Sequence, residues 1–227
     1  MGAILQCDQD RPVSQVMDAC VQALKAQKAV VVPTDSVYGI AAAATPANPG
    51  YQDIFTLKQR PATQTLPWLI ADAGELEIYG QQVDPGVFRV VERFWPGPLT
   101  VVVTASSQVP EEYLGPDHTI ALRIPDSELV RQVERQLGYP LACTSANIHG
   151  HPSPPSFDQV DASLVDGTAV SVDGGVTKSR EASTILGFPD GVLKFYRVGA
   201  ISQQEVRDCL EMDFEACQTR TIDLMQA

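Results

Sequence analysis

The run Ala29-Val30-Val31-Val32-Pro33, leading directly into Thr34-Asp35-Ser36-Val37-Tyr38-Gly39, constrains this chain more than any other segment. Three consecutive β-branched residues read as a buried strand. A Pro-Thr-Asp-Ser turn at the carboxyl end of such a strand sits where α/β sheets expose ligand-binding groups. Two later segments repeat the design. Lys58-Gln59-Arg60-Pro61 places two cations at the end of an amphipathic stretch, and Thr144-Ser145-Ala146-Asn147 places two hydroxyls and an amide after an apolar one. Polar groups collected at the ends of buried segments suit a small anionic ligand.

The remaining pattern alternates between the two periodicities. Val13, Val16, Met17, Cys20, Val21 and Leu24 predict a helix, with Asp10 or Ser14 as its cap. A strand at 29–33 follows, then a helix from Pro49 to Arg60 that Pro61 stops. Strands are expected at 66–71, 99–104, 119–124 and 140–143, with helices at 86–94 and 127–137. Shorter strands are expected near 168–172, 183–187 and 192–198, and a last helix from Ser202 to about Met212; the polar tail 213–227 is expected to be loosely ordered. The alternation predicts a single α/β domain built on a mixed or mostly parallel sheet flanked by helices. His149-Gly150-His151-Pro152-Ser153-Pro154-Pro155 is the strongest loop signal, expected to form a rim beside Asn147.

With 16 Lys plus Arg against 28 Asp plus Glu, the net charge of −12 opposes attraction to a phosphate backbone or an anionic membrane. Direct nucleic-acid binding by the chain alone is therefore expected to be weak. Five cysteines without Cys-x-x-Cys spacing indicate neither a disulfide framework nor a zinc knuckle. Residues 1–11 lack the apolar core of a signal peptide, and no run approaches eighteen apolar residues, so a cytoplasmic protein is expected.

Each candidate residue has a functional and a structural reading. Lys58 and Arg60 offer a point charge and a planar fork to phosphates, or simply favour the negative end of a helix. Thr144 to Asn147 can hold phosphate oxygens or cap a turn. Thr34, Asp35 and Ser36 can bind a polar ligand or form a hydrogen-bonded turn. Arg123, on an otherwise apolar strand, needs a carboxylate partner, which is either a substrate or a structural Asp or Glu. His149 and His151 lack a third ligand at any recognisable spacing, so no metal site is assigned. Cys143 reads as a buried structural thiol rather than a nucleophile. No Gly-x-x-x-x-Gly-Lys-Ser/Thr element is present, which removes the P-loop mode.

Taken together, Pro33 to Gly39, Lys58-Gln59-Arg60-Pro61, Trp95-Pro96-Gly97-Pro98-Leu99-Thr100, Ala121-Leu122-Arg123-Ile124, Thr144 to Asn147 and Ser183-Thr184 resemble the YrdC/TsaC family of L-threonylcarbamoyladenylate synthases. The resemblance covers residues 12–202 as a catalytic domain and leaves 203–227 as a C-terminal helix and tail, the short type without an added domain. It implies a YrdC-like fold and the condensation of L-threonine, bicarbonate or carbon dioxide, and ATP into threonylcarbamoyladenylate and pyrophosphate, for tRNA modification. Magnesium is expected to arrive with ATP, and the product to pass to a tRNA threonylcarbamoyltransferase.

The same resemblance implies catalytic roles for Lys58 and Arg60. It implies ATP contacts by Lys58, Arg60, Ser145, Asn147 and Arg197, and threonine contacts by Thr34, Ser36, Arg123, Thr144 and Ser183. Ser36 stands where the family usually has threonine, and Gln64 to Trp68 depart from its usual residues after Arg-Pro. Two other classes remain open at this point: an RNA- or ribosome-associated binding module of the same fold, and a carbamoyl-transfer enzyme related to hydrogenase maturation.

Overall fold

The computed structural model describes residues 2–61 and 64–211; the predicted tail 213–227 and the end of the last predicted helix lie outside them. Its strands are β1 (Ala3–Gln6), β2 (Val30–Val32), β3 (Gly39–Ala43), β4 (Trp68–Leu69), β5 (Leu99–Thr104), β6 (Thr119–Arg123), β7 (Leu141–Ser145), β8 (Val170–Asp173), β9 (Thr184–Gly187) and β10 (Lys194–Arg197). They form one sheet in the order β1-β8-β2-β3-β7-β4-β6-β5-β9-β10. Pairing is parallel at β1/β8, β2/β8, β4/β6 and β5/β9 and antiparallel at the other five contacts, so the sheet is mixed rather than mostly parallel.

The helices are α1 (Ser14–Lys25), α2 (Pro49–Lys58), α3 (Glu75–Tyr79), α4 (Pro85–Phe94), α5 (Glu128–Leu137) and α6 (Ala162–Gly167), with a further helix, α7, over 203–211. Among the described residues none is long and apolar enough to cross a membrane. Asn48 caps α2 and Asp84 caps α4, each side-chain Oδ1 accepting the backbone N–H two residues on. At α1 the expected caps are not used. Val13 occupies the cap position, and the Asp10 carboxylate instead meets Lys178 at 2.8 Å.

Strand alternation divides the apolar residues between two cores. On one face Val31, Ile40, Trp68, Leu99, Val101 and Leu122 pack with Ile54 and Phe55 of α2, Val87 and Val90 of α4, and Val206 of α7. On the other face Val30, Val32, Ala41, Leu141 and Val172 pack with Val16, Cys20 and Leu24 of α1 and with Leu129, Val130 and Val133 of α5. The α1/α5 layer therefore covers the part of that face built from β1, β8, β2, β3 and β7, reaching Leu69 of β4. Over β6, β5, β9 and β10 the same face stays open, and this uncovered half of the sheet is the floor of the site.

Helix α5 also carries a buried acid. Glu134 is 3% exposed, and its Oε2 has no hydrogen-bond partner. Burial, and then the neighbouring carboxylate of Glu75, push its pKa up to about 10. The folded chain thus holds a proton that the unfolded chain releases near pH 4.5. Stability from this residue is greatest below about pH 4.5 and falls as pH rises toward 10. Glu134→Gln is expected to stabilise the fold at pH 8 by several kcal/mol, up to about 5, relative to its effect at pH 4.5. Urea denaturation at both pH values checks this; an equal effect at the two would show that Glu134 does not hold its proton.

Candidate active site

The open half of the sheet forms a cavity of about 500 Å³. Thr100 and Val102 of β5, Ala121 and Arg123 of β6, Ile185 of β9 and Ser183 just before it make its floor, because each points away from the Leu99, Val101, Leu122 and Leu186 side. Thr34 and Ser36 from the turn after β2, Gly39 at the start of β3, and Cys143, Thr144 and Ser145 from β7, form a wall. Arg60, Arg197, Lys194 and Tyr196 complete it. A Cβ on Gly39 would sit 2.5 Å from the Cys143 sulfur, so glycine is what permits β3 and β7 to approach here. Cys143 itself is buried and its thiol pKa is pushed up to about 12 by desolvation, the state of a structural thiol.

Arg123 is the centre of the polar network. Its Nη2 pairs with Asp35 Oδ1, its Nη1 donates to Ser36 Oγ at 2.8 Å, and its Nε donates to the Gly97 carbonyl at 3.0 Å. Both members of the ion pair are buried, at 6% and 3% exposure for Arg123 and Asp35. The acid that the buried guanidinium needs is therefore Asp35, 88 residues away. Asp35 Oδ1 also accepts from the Asp126 N–H at 3.1 Å, while its Oδ2 is buried without a partner. The Trp95-Pro96-Gly97-Pro98 turn, with a cis Trp95–Pro96 peptide, serves the site indirectly by delivering the Gly97 carbonyl. Three of the five guanidinium N–H groups are used, and Arg123 borders the cavity.

Thr34 and Ser36 form a tight hydroxyl pair. Thr34 Oγ1 lies 3.0 Å from Ser36 Oγ, donates to the Val37 carbonyl at 2.7 Å and accepts the Ser36 N–H at 3.2 Å. Thr177 and Ser179 close over this turn from the far side, donating to the Ser36 and Asp35 carbonyls. Both turn hydroxyls are thus held in place by local bonds, and both border the cavity.

Lys58 and Arg60, adjacent in the predicted motif, go to different places. Helix α2 ends at Lys58 rather than at Arg60, because Gln59 takes the left-handed conformation, with φ of 53°. Lys58 itself lies on the buried face of α2, in helical phase with Tyr51, Ile54 and Phe55. Its Nζ donates to the carbonyls of Ser145 at 2.5 Å and Asn147 at 2.6 Å, and it is 2% exposed. Burial, followed by the charge of Arg60, lowers its pKa to about 8. Lys58 and Asn147 do not border the cavity. They lie behind Ser145, and the Asn147 amide donates to the Ile148 and His151 carbonyls, pinning the predicted rim loop. Arg60 does border the cavity, with Nη1 donating to Thr144 Oγ1 at 3.2 Å and Nε left without a partner.

Lys58→Met keeps the volume but strands two carbonyls, so it is expected to cost about 2–4 kcal/mol. It is also expected to speed amide exchange across Ala146 to His151. Unchanged denaturation and exchange would show that the ammonium does not organise this segment.

Arg197 reaches the cavity through an irregularity. Phe195 pairs with Leu186 and Arg197 with Ile185, so two steps on β10 oppose one step on β9. Strict alternation would place Arg197 beside Phe195, facing the core; the bulge turns it to the cavity side. There its Nε donates to the Ser183 carbonyl at 2.9 Å and its Nη2 to Ser183 Oγ at 3.0 Å, while Ser183 Oγ lies 2.9 Å from Thr100 Oγ1. Thr100, Lys194 and Tyr196 border this cavity and were not among the predicted site residues. Asp35, a candidate for the ligand-binding turn, instead supplies the acid that Arg123 needs.

A family model described as Telomere recombination, spanning Sua5, YciO and YrdC, matches residues 22–199. A threonylcarbamoyl-AMP synthase of Pyrococcus abyssi is 34% identical over 179 residues, which are 79% of this chain and 52% of the relative. A putative threonylcarbamoyl-AMP synthase of Mycobacterium tuberculosis is 30% identical over 214 residues, 94% of this chain and 97% of the relative. The chain thus spans about half the length of the first relative and nearly all of the second. Among solved structures, Pyrococcus abyssi Sua5 complexed with L-threonine superposes with a TM-score of 0.85 at 30% identity, covering 91% of this chain and 60% of that one.

Proposed function

Because the chain belongs to the Sua5–YciO–YrdC family, we propose that its cavity is the active site of an L-threonylcarbamoyl-AMP synthase. The observation that carries this reading is the convergence of Arg60, Arg123 and Arg197 with the hydroxyls of Thr34, Ser36, Thr144, Ser145 and Ser183 around one cavity. Such a site has the charge to hold a triphosphate and a separate buried guanidinium for an amino-acid carboxylate.

In this reading the two unused N–H groups of Arg123 take the threonine carboxylate, and the Thr34–Ser36 pair contacts the same ligand. Arg60 and Arg197 face the ATP phosphates beside Ser145 and Thr144, with Ser183 holding Arg197 in position. Lys58 and Asn147 act through the segment they fix rather than by direct contact. Magnesium enters as part of the nucleotide substrate, held by phosphate oxygens.

The threonine amine combines with carbon dioxide to give a carbamate and a proton, or with bicarbonate to give a carbamate and water. A carbamate oxygen then attacks the α-phosphorus of ATP, and the bond to the β-phosphate bridging oxygen breaks, releasing pyrophosphate. The protein contributes by aligning the two substrates and neutralising charge on the phosphates. No covalent enzyme intermediate is required. The adenylate then passes to a tRNA threonylcarbamoyltransferase in the cytoplasm, without tight binding of tRNA by this chain.

The test is an omission assay on purified protein with magnesium, ATP, L-threonine and bicarbonate, following pyrophosphate and identifying the adenylate by mass. Turnover is expected only with all components present. Pyrophosphate that needs threonine but not bicarbonate would indicate an aminoacyl adenylate instead. Turnover that needs carbamoyl phosphate would indicate carbamoyl transfer, and a folded protein without turnover would indicate a binding module.

A further inference from the structure

Beyond the three arginines, the cavity has a fourth cation that the mechanism above does not use. Lys194 opens β10, the edge strand of the sheet, and shares the cavity face with Tyr196 while Phe195 packs toward the core. The Tyr196 ring lies over Gly187 on the neighbouring strand, within 3.4 Å of where a Cβ would stand there. Lys194 Nζ rests over that ring, 4.8 Å from its centroid. It makes no ion pair or side-chain hydrogen bond among the described residues. An exposed cation on an aromatic face is held only weakly.

The other cations of the cavity are each fixed in place by at least one protein partner, whereas Lys194 is not. Arg123 is neutralised by Asp35, Arg197 donates twice to Ser183 and Arg60 donates to Thr144. The chain as a whole carries −12, which repels a polyanion at long range. A triphosphate approaching this protein therefore needs a local positive field at the mouth of the cavity.

We propose that Lys194 supplies it: parked on Tyr196, it leaves the ring to meet the terminal phosphates of the incoming nucleotide and so sets the affinity of the site for polyphosphate anions. Its long flexible stem suits a group that moves between two positions, where the planar forks of the arginines suit fixed ones. Tyr196 holds the ammonium over the cavity so that it does not fold back against the acidic surface. This rests on the nucleotide reading above and adds a residue to it. An exposed lysine acting on capture affects binding more than the chemical step, and the effect weakens with salt.

The experiment compares wild type, Lys194→Gln and Lys194→Arg, with Lys25→Gln on the exposed end of α1 as a control for net charge alone. Binding of inorganic tripolyphosphate is measured by calorimetry at low and at physiological salt, alongside KM for ATP and kcat in the complete reaction. Lys194→Gln is expected to weaken tripolyphosphate binding and to raise KM about 5–20-fold at low salt, with most of the difference lost at physiological salt and kcat changed much less. Lys194→Arg should retain most of the affinity, and Lys25→Gln should match wild type. Active wild type with Lys194→Gln indistinguishable from it in affinity and salt dependence would overturn the Lys194 assignment alone. Wild type that binds neither ATP nor tripolyphosphate would overturn the nucleotide reading and this inference with it.

Discussion

Arg123→Ala is expected to abolish threonine-dependent pyrophosphate release and to lower stability by about 3–5 kcal/mol, because it leaves the Asp35 carboxylate buried and unpaired. The substitution also removes the donor to Gly97 and to Ser36 Oγ, so the Trp95–Pro98 turn and the Thr34–Ser36 pair lose a common anchor. Loss of activity in a destabilised protein would by itself say little about substrate binding. The double variant Arg123→Met with Asp35→Asn separates the two effects. Without the stranded charge it is expected to regain at least about 2 kcal/mol, yet to remain without measurable threonine affinity by calorimetry. If the double variant is stable and still binds threonine within three-fold of wild type, the Arg123–Asp35 pair is purely structural and the carboxylate is held elsewhere.

That pair illustrates what was and was not legible in the sequence. Val30 to Val32 and the apolar period of α1 and α5 are local signals, and they place β2 and both covering helices correctly. The segment Gly39–Ala43 was not predicted as a strand. It is buried on both faces and made of small residues, so it shows neither alternation nor β-branched enrichment. Strand β1 and helices α3 and α6 were missed for a similar reason: each has six residues or fewer and too short a pattern to count. Thr144 and Ser145, expected just beyond a strand, are its last two residues, paired with Ile40 and Gly39.

At the site, residue identities were readable while directions were not. Lys58 stays on the buried face of α2, and a left-handed residue at Gln59 ends the helix so that Arg60 leaves that face for the cavity. A bulge on β10 brings Arg197 round from the core side. Neither Gln nor Tyr announces such a conformation in sequence, because tertiary packing imposes it. The partner of Arg123 is equally non-local. The sequence shows that an acid is needed and offers 28 of them, and only folding brings Asp35 to it.

Arg60 carries the second large effect, of the opposite kind. Arg60→Ala is expected to lower kcat for adenylate formation by about 10²–10³-fold, the scale seen when one donor to transition-state charge is removed, while stability changes by less than about 1 kcal/mol. The structural ground is how little Arg60 holds in the resting protein. It donates to Thr144 Oγ1 at 3.2 Å and to the Thr65 carbonyl at 3.5 Å, and its buried Nε meets nothing. Removing it strands no charge, in contrast to Arg123. A guanidinium placed against a cavity wall with donors to spare is arranged for a ligand, and the phosphates are the ligand with matching charge. Burial lowers its pKa from the ordinary arginine value, which means that the charged form is held there at a cost that an anion in the cavity would relieve. Arg60→Lys is expected to recover only part of the rate, since an ammonium keeps the charge and loses the planar fork. Single-turnover kinetics at saturating ATP isolate the chemical step, and a folded Arg60→Ala protein that forms threonylcarbamoyl-AMP at the wild-type rate would remove Arg60 from it.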